Sequence, residues 1–391
     1  MQKNFKLDVS RVPKELKLIL KMIRQQDRIV EGEWFLNIDW NKFYELAIHH
    51  RVFPLLYPIL ERKYQQNIPE KITKAMGKEY QKNTFRMLHL TAELEQFSKL
   101  CSKNNIPFIV LKGPVLAQDL YGDLSLRTCG DLDVFISINN LEILDNLLQE
   151  QGYKKDEYIQ TVLNDWKWRH HHFTYFHPVK NLKLEIHWRL HPGPGKEPSF
   201  KDLWERKRET ILSNHPVCFL GREDLFLFLV SHGARHGWSR LRWLLDIHHI
   251  SLQNVDIDKL KKLSKKHHNS HIVSQALILT NQLLGTNINE GYFKKFPNGK
   301  SSMLAQLAIF YLERMVNLHT DPVPKDVSRY HSRHLYSLMS FKQKIIYMIS
   351  TLYPYPEDAQ TLPLPKVFHF LYFPLRPFLW VWRKTKKMAV S

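Results

Sequence analysis

The chain has 391 residues, of which 43% are hydrophobic and 12% aromatic, so it can bury sizeable cores and is not a disordered chain. Its 57 Lys and Arg against 38 Asp and Glu give a formal net charge of +19, which favours polyanionic partners without choosing among nucleoside triphosphates, nucleic acid and anionic lipid. Three widely spaced cysteines fit neither a disulfide framework nor a CxxC metal site. The N-terminus has no apolar signal core and the chain has no run of about 18 apolar residues, so the protein is expected to be cytoplasmic.

The first hundred residues (1–100) are predicted to form an N-terminal helical region. Leu16, Leu20 and Ile23 recur at the spacing that places apolar side chains on one face of a helix. A long helix is expected to close this region, from about residue 83 to residue 103.

Residues 101–200 have the pattern of a small α/β unit. Short apolar runs rich in β-forming residues predict strands, and stretches with helical periodicity lie between them, in the order α-β-α-β-α-β-β. The predicted strands are residues 108–111, 133–136, 171–178 and 182–190. This order is typical of helices packed on a mixed sheet. A C-terminal helical region is expected over residues 201–355, and an aromatic and basic tail over residues 356–391.

Two carboxylates, Asp131 and Asp133, lie two residues apart at the start of the second predicted strand. Because side chains alternate along a strand, both are expected to point to one face of the sheet. The last predicted strand carries Glu185, with His187 two residues further on the same face. If these strands are neighbours, three carboxylates converge, and such oxygen ligands suit two Mg²⁺ or Mn²⁺ ions that activate an attacking oxygen and stabilise a leaving phosphate. An isolated Asp-x-Asp is also common in turns, so its surroundings decide between the two interpretations.

Those surroundings include the tripeptide Lys112-Gly113-Pro114, between a predicted strand and a predicted helix. Pro114 suits the first helical turn, and the N–H groups of a helix N-terminus favour a phosphate. Since Lys112 adds a positive charge, Lys112 and Gly113 are interpreted as a candidate phosphate-binding turn, although an ordinary loop has the same sequence. Arg127 could neutralise phosphate as well, or form a salt bridge at the surface.

Two histidine-rich segments are candidates for metal or pocket residues. His232 and His236 are four residues apart in one predicted helical stretch over residues 232–246 and would share a face. With no HExxH glutamate beside them, packing against the α/β unit is favoured over zinc binding, and both are candidate residues of a base or acceptor pocket. The tract His170–His172 is interpreted as structural, because consecutive strand residues face opposite sides and the three rings cannot converge on one ion.

The tail combines many aromatic residues with six Lys and Arg, and it has no acidic residue between Thr361 and Ser391. Pro374 and Pro377 interrupt its apolar run and argue against a spanning helix. Two alternatives follow. The tail packs on the protein, or it makes peripheral contact with an anionic membrane, where aromatic side chains favour the interface and Lys and Arg attract lipid headgroups. The second alternative would place the protein at the inner face of the membrane.

Taken together, the string LKGPVLAQDLYGDLSLRTCGDLDVFI, residues 111–136, resembles the signature of the uncharacterised nucleotidyltransferase family of bacteria, in which Leu-Lys-Gly, a helix and an Arg precede Asp-x-Asp. The string LEIHWRL, residues 184–190, resembles the family's later strand, where an acidic residue precedes His-Trp. The resemblance covers about residues 40–255. It implies membership of the DNA polymerase β-like nucleotidyltransferase superfamily, and therefore an α+β fold in which a small mixed sheet with helices is embedded between N-terminal and C-terminal helical regions.

The resemblance also implies roles for individual residues. Asp131 and Asp133 would hold the catalytic metals, and Glu185 would be the third carboxylate, which activates the acceptor hydroxyl. Gly113 takes the place of the superfamily's Gly-Ser turn, but proline replaces the serine, whose hydroxyl contact to phosphate is therefore missing. Lys112 would compensate for that loss.

The function implied by the resemblance is transfer of a nucleoside monophosphate from an NTP to an acceptor hydroxyl by a two-metal mechanism. A small molecule, a protein and tRNA all stay open as the acceptor. The alternative is a catalytically inactive module of the same fold that binds a nucleotide or a partner.

Overall fold

The computed structural model of the chain describes residues 5–25, 30–212, 215–288, 291–292, 296 and 299–390, the last five of these by their backbone alone. Within these ranges the α-helices are α1 (Lys14–Arg24), α2 (Trp40–His49), α3 (Phe53–Lys63), α4 (Glu70–Lys103), α5 (Pro114–Tyr121), α6 (Leu141–Glu150), α7 (Trp166–Arg169), α8 (Phe200–Glu205), α9 (Arg222–Arg235), α10 (Leu241–Ser251), α11 (Ile257–Lys266), α12 (Ser270–Leu284), α13 (Gly299–Glu313), α14 (Lys325–Leu338), α15 (Phe341–Ser350), α16 (Pro356–Thr361) and α17 (Tyr372–Val390). The strands are β1 (Phe108–Val110), β2 (Leu132–Ile136), β3 (Lys154–Lys155), β4 (His172–His177), β5 (Leu182–His187), β6 (Arg208–Ile211) and β7 (Pro216–Phe219).

The seven strands of the described part of the chain form a mixed sheet in the order β3-β4-β5-β2-β1-β7-β6. β1 runs parallel to β7, whereas the pairs β3–β4, β4–β5 and β6–β7 are antiparallel. Four predicted strands are confirmed as β1, β2, β4 and β5, and the mixed α+β class is confirmed with them. The long helix expected before the first strand is also present, as α4, but it begins earlier than predicted.

Strands β6 and β7 correct the expectation that the chain is helical from residue 201 onwards. Each strand has four residues, too few to show a clear alternation of apolar and polar side chains. Their place in the fold depends on a contact that is distant in the sequence, because β7 pairs with β1 and sets Phe219 opposite Val110. A local pattern cannot report such a pairing.

The first of the chain's two compact units comprises residues 1–134 and 198–338. Helix α9 lies at its centre, in contact with α10, α11, α12 and α14. Every residue of α9 from Leu225 to Val230 is buried. A helix with apolar side chains around its whole circumference requires such a setting, since no side of it can face water favourably.

A tight turn between α9 and α10 corrects the expectation of one helical stretch over residues 232–246. Gly237 and Trp238 have positive φ angles of 64° and 56°, and this left-handed backbone ends α9. Trp238 is fully buried, and its ring would lie 2.2 Å from a Cβ atom on Gly233. Gly233 is therefore required where the turn folds back onto α9.

The second unit comprises residues 135–197 and 339–391. Strands β4 and β5 lie at its centre, and their antiparallel register sets His172 directly opposite His187. Glu185 is two residues from His187, so its side chain projects from the same face of the strand. The register therefore brings an imidazole pair and a carboxylate to one side of the strand pair.

The tail of the chain packs within the second unit along one face of α17. Tyr372 and Leu379 on this face are buried. Arg376 and Arg383 each form an ion pair with the buried carboxylate of Asp358, at 2.7 Å. This part of the tail follows the docking alternative of the sequence analysis.

The remaining surface of the tail exposes large apolar side chains. Those on the described part of α17 and on the 3-10 turn before it are Val367, Phe368, Phe370, Leu371, Phe373, Phe378, Trp380, Val381 and Trp382. Helix α15 has the same character, with Phe341 and Ile349 among its exposed residues. Across the ranges that the structure describes, none of the helices is both long enough and apolar enough to pass through a bilayer.

Candidate functional site

The Asp-x-Asp motif lies where the chain enters β2. Asp131 occupies a bend just before the strand and is half-buried, whereas Asp133 lies inside the strand and is 1% exposed. A carboxylate so deeply enclosed is stable only when cations or hydrogen-bond donors face it. The groups around Asp133 therefore indicate what this position does.

One of these groups is Lys112, at the end of β1. The backbone N–H of Leu111 donates a hydrogen bond to the carbonyl of Asp133 at 2.9 Å, which sets the end of β1 beside β2. The Lys112 Nζ lies 2.8 Å from Oδ1 of Asp133, and 15% of the lysine side chain is exposed. This contact joins two residues that the sequence analysis placed in one site.

The turn after Lys112 has the backbone that a glycine requires. Gly113 has φ 87° and ψ −148°, a region that is open essentially to glycine alone. It precedes α5, whose first residue is Pro114, as predicted. The first turn of α5 therefore follows Lys112 directly along the chain, and Lys112 is the residue that pairs with Asp133.

Two helices hold the segment from Ser125 to Gly130, which leads into the motif. In the sequence, α4 precedes this segment and α10 follows it. Asn83 on α4 donates a hydrogen bond to the carbonyl of Ser125 at 2.8 Å, and Arg86 on the same helix donates to the carbonyl of Gly130 at 2.7 Å. Arg242 on α10 donates to the hydroxyl of Thr128 at 3.0 Å. These contacts fix the backbone from which Asp131 projects.

Within this segment, Arg127 forms a fully enclosed pair with Asp246 of α10. Its Nε and Nη2 donate hydrogen bonds to the two carboxylate oxygens at 2.8 and 2.9 Å, and both side chains are 1% exposed. Burial alone would lower the pKa of Arg127, but the Asp246 carboxylate more than offsets this and holds that pKa above its ordinary value. Tyr121 donates a further hydrogen bond to Asp246 at 2.8 Å. The geometry favours a structural role for Arg127, while the role in phosphate neutralisation stays a prediction.

His232 and His236 lie at the end of α9 and form a ring cluster with Trp243. The ring centroids of the two histidines are 4.7 Å apart. His232 meets Trp243 edge-on at 5.5 Å, and His236 lies tilted against Trp243 at 5.1 Å. Burial and then the nearby charge of Lys112 lower the pKa of His232 well below its ordinary value, so this ring is neutral at pH 7. The charge of Lys112 contributes to this shift, and the assignment of His232 and His236 to a pocket stays a prediction.

In the second unit, Glu185 lies among cations and imidazoles. Its Oε1 is 2.6 Å from Nζ of Lys183, and its Oε2 is 3.5 Å from Nε2 of His187 and 3.9 Å from Nε2 of His172. The Glu185 side chain is 13% exposed and that of His187 is 4% exposed. Both predicted residues of β5 therefore lie in a partly enclosed polar cluster.

The His170–His172 tract lies beside a histidine of the neighbouring strand. The rings of His171 and His172 meet His187, whereas His170 is outside this group. His171, His172 and His187 each offer a nitrogen within 4.8 Å of the others, and we call these three residues the histidine cluster. The strand register, which the tract itself does not reveal, brings them together.

The histidine cluster, which lies within the second unit, has the composition and grouping that could hold a metal ion. The assignment of Asp131, Asp133 and Glu185 as metal ligands stays a prediction.

Sequence reasoning did not single out the residues that hold the site in place. Asn83, Arg86, Arg242 and Asp246 act through contacts with residues far along the chain. The sequence does not show that Arg127 is buried, and only its burial in the structure requires a carboxylate partner such as Asp246.

Comparison with known proteins gives one positive finding. The model of the family described as uncharacterised nucleotidyltransferase matches residues 37–285, more than half of the chain. No curated protein and no solved structure matches the chain. The matched residues include both carboxylates of the Asp-x-Asp motif, the Lys112 turn and β5.

Proposed function

Since the chain belongs to the uncharacterised nucleotidyltransferase family, we propose that it moves a nucleoside monophosphate from an NTP to an acceptor hydroxyl, on a core of the polymerase β-like kind. Family membership supports nucleotidyl transfer in general. The observation that carries the finer proposal is the pair of Lys112 and Asp133 at a glycine turn that precedes α5. This arrangement sets a cation and a row of helix N–H groups beside a buried carboxylate, as phosphate and metal binding both require.

The donor set fits a hard divalent cation. Carboxylate oxygens are the protein ligands that Mg²⁺ prefers, and Asp131, Asp133 and Glu185 would hold Mg²⁺ or Mn²⁺. In a two-metal mechanism the ions lower the pKa of the attacking hydroxyl and stabilise charge on the leaving pyrophosphate.

The chain's own residues have separable tasks in this proposal. The Lys112 ammonium has three donor hydrogens, so it can contact a phosphate oxygen while it keeps its carboxylate partner. Gly113 would let the backbone approach that phosphate, and neutral His232 would line the nucleotide or acceptor pocket together with His236. Arg127 holds the segment that carries Asp131 through its pair with Asp246.

The test is a transfer assay with each α-³²P-labelled NTP, Mg²⁺ and a cell extract that supplies small molecules, proteins and tRNA as acceptors. A labelled product with the wild type, and none with Asp131→Asn/Asp133→Asn, supports the proposal. Nucleotide binding without any labelled product would favour the alternative, an inactive module of the same fold. Labelled product from the double variant would overturn the assignment of the carboxylates.

We also propose that the exposed surface of the tail binds an anionic lipid bilayer. Aromatic side chains such as Trp380 and Trp382 favour the membrane interface. The cations Lys366 and Lys384 of the tail are exposed, and Asp358, which pairs with Arg376 and Arg383 of α17, is buried. This combination of exposed aromatic rings and positive charge is complementary to acidic headgroups.

Flotation with vesicles tests this surface. Vesicles of phosphatidylglycerol and phosphatidylcholine should carry the protein, and vesicles of phosphatidylcholine alone should not. Phe378→Ser/Trp380→Ser should abolish flotation, whereas Val179→Ser, which removes a side chain that is 90% exposed outside the tail, should not. Equal behaviour of the two variants, or self-association of the chain without vesicles, would contradict a lipid partner.

A further inference from the structure

The proposed nucleotidyl transfer assigns no role to the three imidazole rings of the histidine cluster. The ring centroids of His171 and His172 are 4.3 Å apart, those of His172 and His187 are 4.9 Å apart, and those of His171 and His187 are 5.3 Å apart. All three belong to the second unit. Mg²⁺ has little affinity for imidazole nitrogen, so an oxygen-liganded catalytic cation does not account for this cluster.

We propose that the histidine cluster binds one divalent transition-metal ion, with His171, His172 and His187 as its ligands, and that Zn²⁺ is the ion its chemistry suits best. Imidazole nitrogens are preferred ligands of Zn²⁺ and of its neighbours among the first-row metals. Three protein ligands leave a fourth position on a tetrahedral ion for water or a substrate atom. The proposal concerns metal binding itself, so it does not depend on the proposed nucleotidyl transfer.

The distances between ring nitrogens match the size of such an ion. Nε2 of His171 and Nδ1 of His172 are 3.1 Å apart. Two nitrogens bound to a tetrahedral zinc ion at about 2.0–2.1 Å stand roughly 3.4 Å from each other. A small outward movement of the two rings would therefore admit the ion between them.

A carboxylate faces the other side of two of these rings. Oε2 of Glu185 lies 3.9 Å from Nε2 of His172 and 3.5 Å from Nε2 of His187. If His172 binds the ion through Nδ1, its remaining proton is on Nε2 and points to this carboxylate. Metal-binding histidines commonly donate their second N–H to such a group, which fixes the ring orientation and raises ligand basicity. Lys183 holds Oε1 of Glu185 at 2.6 Å, so Glu185 is a positioning residue for the cluster.

The backbone that carries the cluster is firmly held. His172 and His187 are directly paired across β4 and β5. The carbonyl of His171 accepts hydrogen bonds from the N–H groups of Trp188 and Arg189, at 3.0 and 3.3 Å. Rings anchored on paired strands lose little conformational freedom when they bind an ion, which favours tight binding.

The chain provides a matched control in the same tract. His170 precedes the two cluster residues directly, but it is not in the group that could hold an ion, and its ring lies edge-on to Tyr158 with centroids 6.3 Å apart. His170→Ala therefore removes an imidazole without removing a proposed ligand. It also controls for the loss of one imidazole among the chain's 21 histidines, which include the three cluster residues.

The experiment is a metal titration of the full chain after its metals are removed by a chelator. Zn²⁺ is added in competition with a chelating dye, and Co²⁺ is added in parallel to record its visible absorption. We expect one tight equivalent per chain in the wild type, in His170→Ala and in Asp133→Asn. His172→Ala, and His171→Gln as a milder second variant, should weaken binding more than about a hundredfold, because even changes outside the ligand set cost 10–100-fold.

Three results would overturn the inference. The first is a wild-type chain without a tight equivalent. The second is equal affinity in His172→Ala, His171→Gln and the wild type, with metal-free circular dichroism showing that all are folded. The third is loss of the ion in Asp133→Asn together with its retention in His172→Ala, which would assign the ion to the carboxylates.

Discussion

Two ion pairs flank the Asp-x-Asp motif, and they differ in how completely they are enclosed. In the Arg127 segment, residues 125–130, Arg127 donates hydrogen bonds to both carboxylate oxygens of Asp246, and each side chain is 1% exposed. In the Lys112 turn, residues 111–114, a single ammonium contacts Asp133 at 2.8 Å and is 15% exposed.

This difference in enclosure suggests different roles for the two pairs, one in fixing the backbone of the site and the other in contacting its ligand. A guanidinium that is bound in a fork and sealed from water is suited to fix the backbone, because moving it would leave a buried carboxylate without its partner. A partly exposed ammonium can gain a phosphate contact without that loss. We therefore expect changes in the Arg127 segment to affect stability, and changes in the Lys112 turn to affect nucleotide binding.

The largest effect is expected at the carboxylates themselves. Asp131→Asn and Asp133→Asn should each reduce transfer by about a thousandfold or more, since metal-based charge stabilisation is worth several kcal/mol. Melting temperatures should stay close to the wild-type value, because asparagine keeps the size of aspartate and its side-chain carbonyl still accepts a hydrogen bond. The assay is labelled-product formation beside thermal denaturation.

Asp145→Asn is the matched control for this prediction, since Asp145 also pairs with a lysine, Lys155 at 3.2 Å. It should retain wild-type turnover. Wild-type turnover in either of the two motif variants would refute the metal assignment.

The next largest effect should come from removing the buried ion pair between Arg127 and Asp246. Arg127→Leu should lower the free energy of unfolding by about 3–5 kcal/mol, because it leaves the buried Asp246 charge uncompensated. The double variant Arg127→Leu/Asp246→Leu should be destabilised less than the sum of the single variants. Urea denaturation measures all three, and a cost below about 1 kcal/mol for Arg127→Leu would show that this pair does not hold the segment.

A smaller effect, on binding rather than folding, is expected in the Lys112 turn. Lys112→Ala should weaken NTP binding about tenfold to a hundredfold, which corresponds to the roughly 1.5–3 kcal/mol of a charge-assisted hydrogen bond. Titration calorimetry with Mg²⁺ and the preferred NTP gives the dissociation constants. Lys155→Ala, which removes another ion-paired lysine with 22% exposure, should bind like the wild type.

Equal dissociation constants for Lys112→Ala and the wild type would remove Lys112 from the site. Gly113 and the N-terminus of α5 would then be the remaining phosphate-binding elements of the turn.

The smallest effect is a coupling between ligands. Mg²⁺ together with an NTP should raise the melting temperature by more than the sum of the two separate shifts, since ligands that bind the native state stabilise it by mass action and a shared site makes them interdependent. Differential scanning fluorimetry with all four combinations measures this coupling. Purely additive shifts would argue for separate sites.

The sequence by itself determined the elements that local patterns encode. The apolar runs of β1, β2, β4 and β5 are visible because strand side chains alternate or are buried together, and Lys112-Gly113-Pro114 marks a strand-to-helix turn through backbone requirements that are local. The spacing of Asp131 and Asp133 nominated a carboxylate site once the turn before them was considered with it. Each of these features depends on a few neighbouring residues, so the chain order contains the information.

Tertiary structure alone decided which distant residues meet. The β6–β7 hairpin joins the sheet through a pairing with β1, and the partner of Arg127 is an aspartate on α10. Alternation along one strand describes the histidine tract by itself, whereas the register between β4 and β5 sets His187 of the next strand beside it. Burial, ion pairing and register depend on which surfaces come together, and a pattern within a single segment does not specify its partner.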